Sequence, residues 1–190
     1  MIELIRIVWG ITGSGDRIEE ILDNMIQLKE EDDLKITVIV SKAGEQVLRW
    51  YKLWDKLEES FDKVATETNA NVPFIAGPLQ IGKYDLLLVA PLTANSTAKI
   101  SHGIADTLIT NAVAQTLKGN TPVILYPVDQ FSTPIDTVGP DGIKFTITPR
   151  SIDLENIVRL RNMERLKILS SPSEISNSVG NLIKLKRGND

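Results

Sequence analysis

A doubly wound α/β domain built on a parallel sheet is the fold class that the sequence predicts. Three observations predict it. The chain carries continuous apolar runs of strand length: LKITVIV over 34–40, DLLLVA over 85–90 and PVILY over 122–126. Segments with helical apolar spacing alternate with these runs, as at Ile18, Ile21, Leu22, Met25, Ile26 and Leu28. Strands that are apolar throughout, rather than at every second residue, belong to sheets covered by helices on both faces.

Taken in order, Leu4 to Trp9 reads as the first strand and Gly10 to Gly15 as the loop after it. The helix that follows ends at the acidic patch from Glu30 to Asp33. Leu34 to Val40 is the second strand; Ser41 caps a second helix over Ala43 to Leu53. Residues 55–71 are polar, weakly helical and not assignable, and Val72 to Ala76 reads as a short strand. A connector, Gly77 to Tyr84, leads to the strand Asp85 to Ala90, closed by Pro91. Thr97 to Lys118 reads as helix interrupted near Gly103, followed by the strand Pro122 to Tyr126. Residues 127–150 hold four prolines and an Asp141-Gly142 turn, so an irregular excursion with a hairpin is expected, in the position of a flap. Asp153 caps a helix through Leu160, Leu166 to Leu169 is a last strand, and Pro172 to Leu185 is a terminal helix.

A length of 190 residues with no internal repeat or linker suits one domain, 1–190. The absence of cysteine removes disulfides, iron–sulfur clusters and thiolate metal sites. A single histidine, His102, is a poor stock for a metal site or a Ser–His–Asp triad, so no metal is expected. The longest apolar run, Leu86 to Leu92, falls far short of the ~20 residues of a membrane span. The N-terminus shows no basic region or cleavage site, and a soluble cytoplasmic protein is expected. A net charge of −4 argues against nucleic acid, and the basic tail Lys184, Lys186, Arg187 reads as a solvated end.

Parallel sheets bind ligands outside the carboxyl ends of their strands, so the loops after the strands carry the information. Gly10-Ile11-Thr12-Gly13-Ser14-Gly15 opens a helix. Its glycines admit close approach of the backbone, and its hydroxyls and N–H groups suit a phosphate. It lacks the Gly-Lys-Ser/Thr ending of a P-loop and the third glycine of a dinucleotide fingerprint, so a tight turn without a ligand stays open. Asp16 competes with a phosphate for the helix dipole and has to point outward if one binds. Ser41-Lys42-Ala43-Gly44 offers a hydroxyl and an ammonium for a phosphate or polyol, or a plain helix cap. Pro91-Leu92-Thr93-Ala94-Asn95-Ser96-Thr97-Ala98-Lys99 places five hydrogen-bonding side chains just beyond a very apolar strand, more than one cap requires. His102, near this third loop, reads as a structural or surface residue, or else as a ligand or interface group. Trp50 and Trp54, one helical turn apart, suit core, subunit interface or a stack on a ring, and Trp9 stands near enough to the first loop to approach a cofactor.

Gly10-Ile11-Thr12-Gly13-Ser14, Pro91-Leu92-Thr93-Ala94-Asn95-Ser96 and Ala98-Lys99-Ile100-Ser101-His102-Gly103-Ile104-Ala105-Asp106 together resemble the flavoprotein family that includes the homo-oligomeric flavin-containing cysteine decarboxylases. The likeness spans most of residues 5–126. Within that family the opening Ile11 to Asp16, and the tail from Ile152 to Asn156 through Met163-Glu164 to Pro172–Ile175, are most similar to the archaeoflavoprotein and dihydromethanopterin reductase branch. The resemblance implies a Rossmann-like or flavodoxin-like three-layer fold. It also implies noncovalent FMN at a site shared between subunits of a homo-oligomer, and reduction by ferredoxin. By the same likeness the cofactor-binding set is Gly10, Thr12, Gly13, Ser14, Gly15, Ser41, Lys42, Pro91, Thr93, Ala94, Asn95 and Ser96, with Asn95 tuning the ring.

Two departures separate the branches. The decarboxylases carry a histidine before the fourth strand, and none lies between Val64 and Ala90. Their Pro-x-Met-Asn-x-x-Met-Trp clamp is replaced by Pro127-Val128-Asp129-Gln130-Phe131-Ser132. The expectation is an FMN-dependent electron-transfer protein or reductase that passes electrons to a small acceptor such as a pterin, with no catalytic side chain required. A flavin-dependent decarboxylase or prenyltransferase, and a non-catalytic nucleotide- or phosphate-binding module, are the alternatives.

Overall fold

The apolar runs become neighbouring strands because each can bury both of its faces only between helices. The computed structural model describes residues 4–31 and 34–188. Its first half runs β1 (Ile5–Ile11), α1 (Ile18–Glu31), β2 (Leu34–Val40), α2 (Lys42–Trp50), α3 (Trp54–Ser60), β3 (Val64–Thr66), α4 (Ala76–Gln80) and β4 (Leu86–Leu92). Its second half runs α5 (Ala94–Ser101), α6 (Leu108–Thr116), β5 (Val123–Pro127), β6 (Ile135–Val138), β7 (Lys144–Ile147), α7 (Ser151–Arg161), β8 (Leu166–Ile168) and α8 (Glu174–Arg187). Six strands form one parallel sheet in the order β3-β2-β1-β4-β5-β8, and β6 pairs antiparallel with β7. This is the predicted single-domain, three-layer α/β fold.

Alternation along each strand sorts the core into two layers. Ile5, Ile7, Trp9 and Ile11 of β1 face α1, α3 and α8, through Ile21, Met25, Leu57 and Val179. Val8, with Leu87 and Val89 of β4, faces α4, α5, α6 and α7, through Leu79, Ile100, Ile109 and Leu160. The strand order reverses direction between β1 and β4. That switch point opens a crevice at the carboxyl edge, where the predicted loops emerge.

Several expectations change in detail. β1 continues to Ile11, so Gly10 is a buried strand residue; a Cβ there would lie 3.0 Å from Ile109 Cδ1, and glycine lets α6 lie close to the sheet. Pro91 lies inside β4 behind a cis Ala90–Pro91 bond rather than closing the strand. The unassigned stretch 55–71 contains α3 and β3. Residues 72–76 are not a strand. Val72 forms only a bridge to Asn69 across a tight turn, Pro73 has no N–H to extend it, and Ala76 begins α4. The interrupted helix is two helices, α5 and α6, parted at Gly103, whose φ of 72° only glycine adopts at little cost. Asp153 serves as a cap from inside α7, accepting Arg150 N–H at 2.9 Å. Of the acidic patch expected to end α1, Asp32 and Asp33 lie outside the described residues.

The aromatic pair does not survive as a pair. Lys52, with a φ of 57°, breaks the chain between α2 and α3, so Trp50 is exposed while Trp54 is buried beneath the Arg49 guanidinium, 4.4 Å from its ring centre. Trp9 is core: it meets Phe61 edge-on at 5.4 Å, and its Nε1 donates to Ala90 O at 2.8 Å.

Arg150 and Asp153 supply a pH-dependent contribution. Two hydrogen bonds from the guanidinium, at 2.9 and 2.7 Å, hold the Asp153 carboxyl below the usual carboxylate range. A depressed carboxylate stabilises the fold above the unfolded aspartate value of about 3.9, and that contribution is lost as pH falls through the lower folded value. Asp153→Ala is expected to lose about 1 kcal/mol at neutral pH from the missing helix cap. The gap from wild type should close as pH falls below the ordinary aspartate range, as read from urea midpoints at stepped pH.

Candidate functional site

Thr12 joins the first and third predicted loops. Its buried hydroxyl donates to Pro91 O at 2.8 Å and accepts from Thr93 N–H at 2.8 Å, while its own N–H donates to Pro91 O at 3.2 Å. The second loop joins them through Ser41, whose N–H donates to Ile11 O at 3.0 Å. Packing completes the join. A Cβ on Gly13 would lie 2.6 Å from Ala43 Cβ, and one on Gly44 would lie 2.8 Å from Ile11 O. The three loops, remote in sequence, therefore make one continuous surface at the switch point.

Three helices also start there, and their first N–H groups are assigned in detail. Ser41 caps α2, with Oγ accepting from Gly44 N–H at 3.0 Å. Thr93 caps α5 by accepting from Ser96 N–H at 3.3 Å, and Thr107 caps α6 through a reciprocal pairing with Thr110. Glu67, just past β3, serves two helices at once. Its carboxylate accepts from Leu108 N–H at 2.8 Å and from Lys42 N–H at 3.2 Å. The Ala94 N–H that begins α5 favours the charged form of the Asp129 carboxyl. The second N–H of α2 and of α5, on Ala43 and Asn95, has no intrahelical acceptor.

Glu67 is not legible in the sequence, because its role depends on α2 and α6 converging, and no local pattern carries that. Glu67→Ala is expected to cost about 1–2 kcal/mol, since it strips one acceptor from each of two helix starts. Glu67→Gln, which can still serve one of them, should cost about half as much. Denaturant midpoints of both variants check this.

On the far side of the glycine loop the β6–β7 hairpin folds over a cleft of about 260 Å³. Gly13, Ser14, Gly15, Asp16, Tyr51 and Asp129 line it, facing Ile135, Thr137, Phe145 and Ile147 of the hairpin. Tyr51 ties the hairpin to the end of α2, donating from its hydroxyl to Val138 O at 2.9 Å. The hairpin turns at Asp141-Gly142, as the sequence predicts.

Asp16 does not point outward. It is half-buried at this cleft, with its N–H donating to Ser14 Oγ at 3.2 Å. Burial raises its pKa, Arg17 opposes, and the charges of Asp129 and Glu20 add to the rise. Burial also raises Asp129, with Asp153 adding to the shift and the Ala94 N–H and Arg150 opposing it. Tyr126 is pushed up to about 12 by burial and then by the Asp16 charge, and Tyr51 is raised for the same two reasons, with Asp141 adding to it. This side of the loop is therefore hostile to an anion. The N–H groups at the start of α2 favour one.

The other predicted residues fall as follows. Ser14 and Gly15 are half-buried on the glycine loop, and a Cβ on Gly15 would collide with the Tyr51 ring. Lys42 and Asn95 are exposed at the starts of α2 and α5, and their side chains have no partner among the described residues. Thr93, Ala94 and Ser96 are half-buried on the first turn of α5, and Pro91 is buried. His102 is an exposed residue at the end of α5, its Nδ1 2.9 Å from Ala98 O, and takes no part. The Ala43 N–H, the Asn95 N–H, the Ser14 and Ser41 hydroxyls and the Lys42 ammonium are thus among the donors left for a phosphate-bearing ligand. The Gly13–Ala43 contact leaves no bulk between them.

The family model described as Flavoprotein matches residues 1–184. The chain belongs to the Flavoprotein family. Among curated relatives of this flavoprotein, MJ0730 of Methanocaldococcus jannaschii is 46% identical over 184 residues, 97% of this chain and 99% of that one. The dihydromethanopterin reductase (acceptor) of the same organism is 40% identical over 158 residues, covering 78% of this chain but 60% of its own length. Among solved structures, DmrB of Burkholderia xenovorans in complex with FMN, described as a cubic protein cage for redox transfer, superposes with a TM-score of 0.82. It is 30% identical, with 96% of this chain and 97% of that one covered. The family and the dihydromethanopterin reductase relatives inferred from the loop motifs are both borne out. Among the described residues no group of acidic or histidine side chains could hold a metal, and no helix is long and apolar enough to cross a membrane.

Proposed function

We propose that residues 1–190 form one FMN-binding unit that works as an electron-transfer flavoprotein or reductase. In this reading reduced ferredoxin donates the electrons, and a small acceptor of the pterin class receives them. The observation that carries the reading is the union of three ligand-suited loops at the switch point, through the Thr12 hydroxyl and the Ser41 N–H. Family membership, and the FMN bound by a relative 30% identical over nearly the whole chain, name the cofactor. The reductase relatives support a pterin-class acceptor.

When bound, the flavin supplies the redox chemistry, and the chain supplies position and electrostatics. Ser14, Ser41, Lys42 and the Ala43 N–H hold the phosphate and polyol. Gly13 and Gly15 admit the cofactor to the backbone, and Gly10 lets α6 pack behind it. Thr12 acts through the loops it joins. Pro91, Thr93, Ala94, Asn95 and Ser96 line the ring, with Asn95 hydrogen-bonding its edge and tuning its potential. The Asp16–Asp129 cleft under the hairpin lies on the acceptor's side, with the hairpin as a flap. Phe74, Ile81 and Ile104 are exposed apolar residues on the α4–α6 side, a surface for other copies in a homo-oligomer whose interfaces lie near the flavin. The protein is placed in the cytoplasm on this reading.

The test is anaerobic absorption spectroscopy on the FMN-loaded protein. Reduced ferredoxin should bleach the flavin band, NADPH should not, and dihydromethanopterin should restore the colour. Bleaching by NADPH would replace ferredoxin with a nicotinamide donor. Failure of the pterin to reoxidise the flavin would remove that acceptor class. Bound flavin that neither donor reduces would return the protein to the decarboxylase and prenyltransferase readings.

A further inference from the structure

A cleft of about 430 Å³ lies at the other end of the molecule. It opens at the amino edge of the sheet, where Arg6 of β1 and Lys35 of β2 stand side by side in register. Lys63, which leads into β3, and Lys83, which leads into β4, bring two more cations to it, with Leu4, Pro78 and Tyr84 at the rim. No carboxylate lines the cleft among the described residues. None of the four cations has an ion-pair partner there: Asp85 accepts the Arg6 backbone N–H at 2.8 Å and pairs its other oxygen with Lys186 at 3.1 Å. Four cations without an ion-pair partner among the described residues share one concavity of a chain whose net charge is −4.

The floor adds a hydroxyl. Thr37 is the one hydroxyl in the apolar run of β2, sits on the same strand face as Lys35, and is 3% exposed. It lines this cleft beside the cations.

We propose that this cleft is a second ligand site, for a small anion bearing two or more phosphate groups, with Arg6, Lys35, Lys63 and Lys83 neutralising the charge and Thr37 donating to a phosphate oxygen. Its volume is that of a small-molecule pocket. It lies roughly 20 Å from the glycine loop, taking the seven residues from Arg6 to Gly13 at ~3.3 Å each. It is therefore separate from the flavin surface, and its role is regulatory or stabilising rather than redox.

The test is calorimetric titration of the protein, saturated with FMN so that the flavin loops are filled, with inorganic pyrophosphate at low salt. One site per chain is expected, with the flavin spectrum unchanged and affinity falling as salt rises. Lys35→Gln combined with Lys83→Gln should weaken binding about tenfold or more, and Thr37→Val about three- to tenfold, both keeping their FMN. Absence of saturable binding, or binding that these variants leave unchanged, would overturn the site. Release of FMN on titration would assign the pyrophosphate to the flavin loops instead. Citrate binding as tightly as pyrophosphate would overturn the choice of phosphate.

Discussion

Gly13→Ala is expected to cost the protein most of its affinity for FMN. The added Cβ would meet Ala43 Cβ at 2.6 Å and the Ala43 carbonyl carbon and oxygen at 3.0 and 3.1 Å. Backbone cannot rotate away as a side-chain tip can, so the glycine loop and the first turn of α2 must separate. Overpacking of this kind costs about 1–3 kcal/mol, and if the loop lifts to relieve it, that energy appears as about ten- to hundredfold weaker binding. Ala43→Gly removes the nearest clashing atom and should restore part of the affinity in the double variant, a coupling that two independent defects would not produce. Fluorescence titration of FMN into the two single variants and the double variant measures it.

Thr12→Val is expected to lower stability and cofactor affinity together. Valine keeps the shape and the β-branched strand preference but leaves the Thr93 N–H without its acceptor at the start of α5. Pro91 O keeps only the longer 3.2 Å bond from the residue 12 N–H. A donor stranded in this way costs about 1–3 kcal/mol. Thr12→Ser restores the hydroxyl and should recover most of the loss. Guanidinium midpoints of the apo forms, beside FMN dissociation constants, separate the two effects. A Val variant that is destabilised but binds FMN as wild type would mean that the loop junction does not position the cofactor.

What the sequence discloses follows from where the physics is local. LKITVIV gives β2 to the residue, because a strand buried on both faces leaves an unbroken apolar run. DLLLVA gives β4 for the same reason, and the prolines with Asp141-Gly142 give the hairpin. β3 is short and half-buried at the sheet edge, so VAT carries no such signal. Val72 to Ala76 carries a false one, since Val72 and Phe74 are exposed and Ile75 enters the core from the start of α4 rather than from a strand. The site divides in the same way. Gly13, Ser41 and Thr93 belong to patterns of turn and cap that a sequence displays. Glu67 acts across 41 residues on Leu108, Asp129 feels the Ala94 N–H only electrostatically from 35 residues away, and both roles exist only once the sheet has closed. Asp16 shows the reverse. Its clash with a helix-bound phosphate is visible in the sequence, but its answer, a turn through Arg17 at a φ of 57° into an acidic cleft, is not.

The central claim is that the three joined loops hold FMN. Its most direct test is the visible absorption spectrum of the purified protein after incubation with FMN and removal of unbound flavin on a desalting column. A retained flavin spectrum equivalent to one FMN per chain, lost in Gly13→Ala, is the result predicted. A colourless protein after the same treatment would contradict the claim.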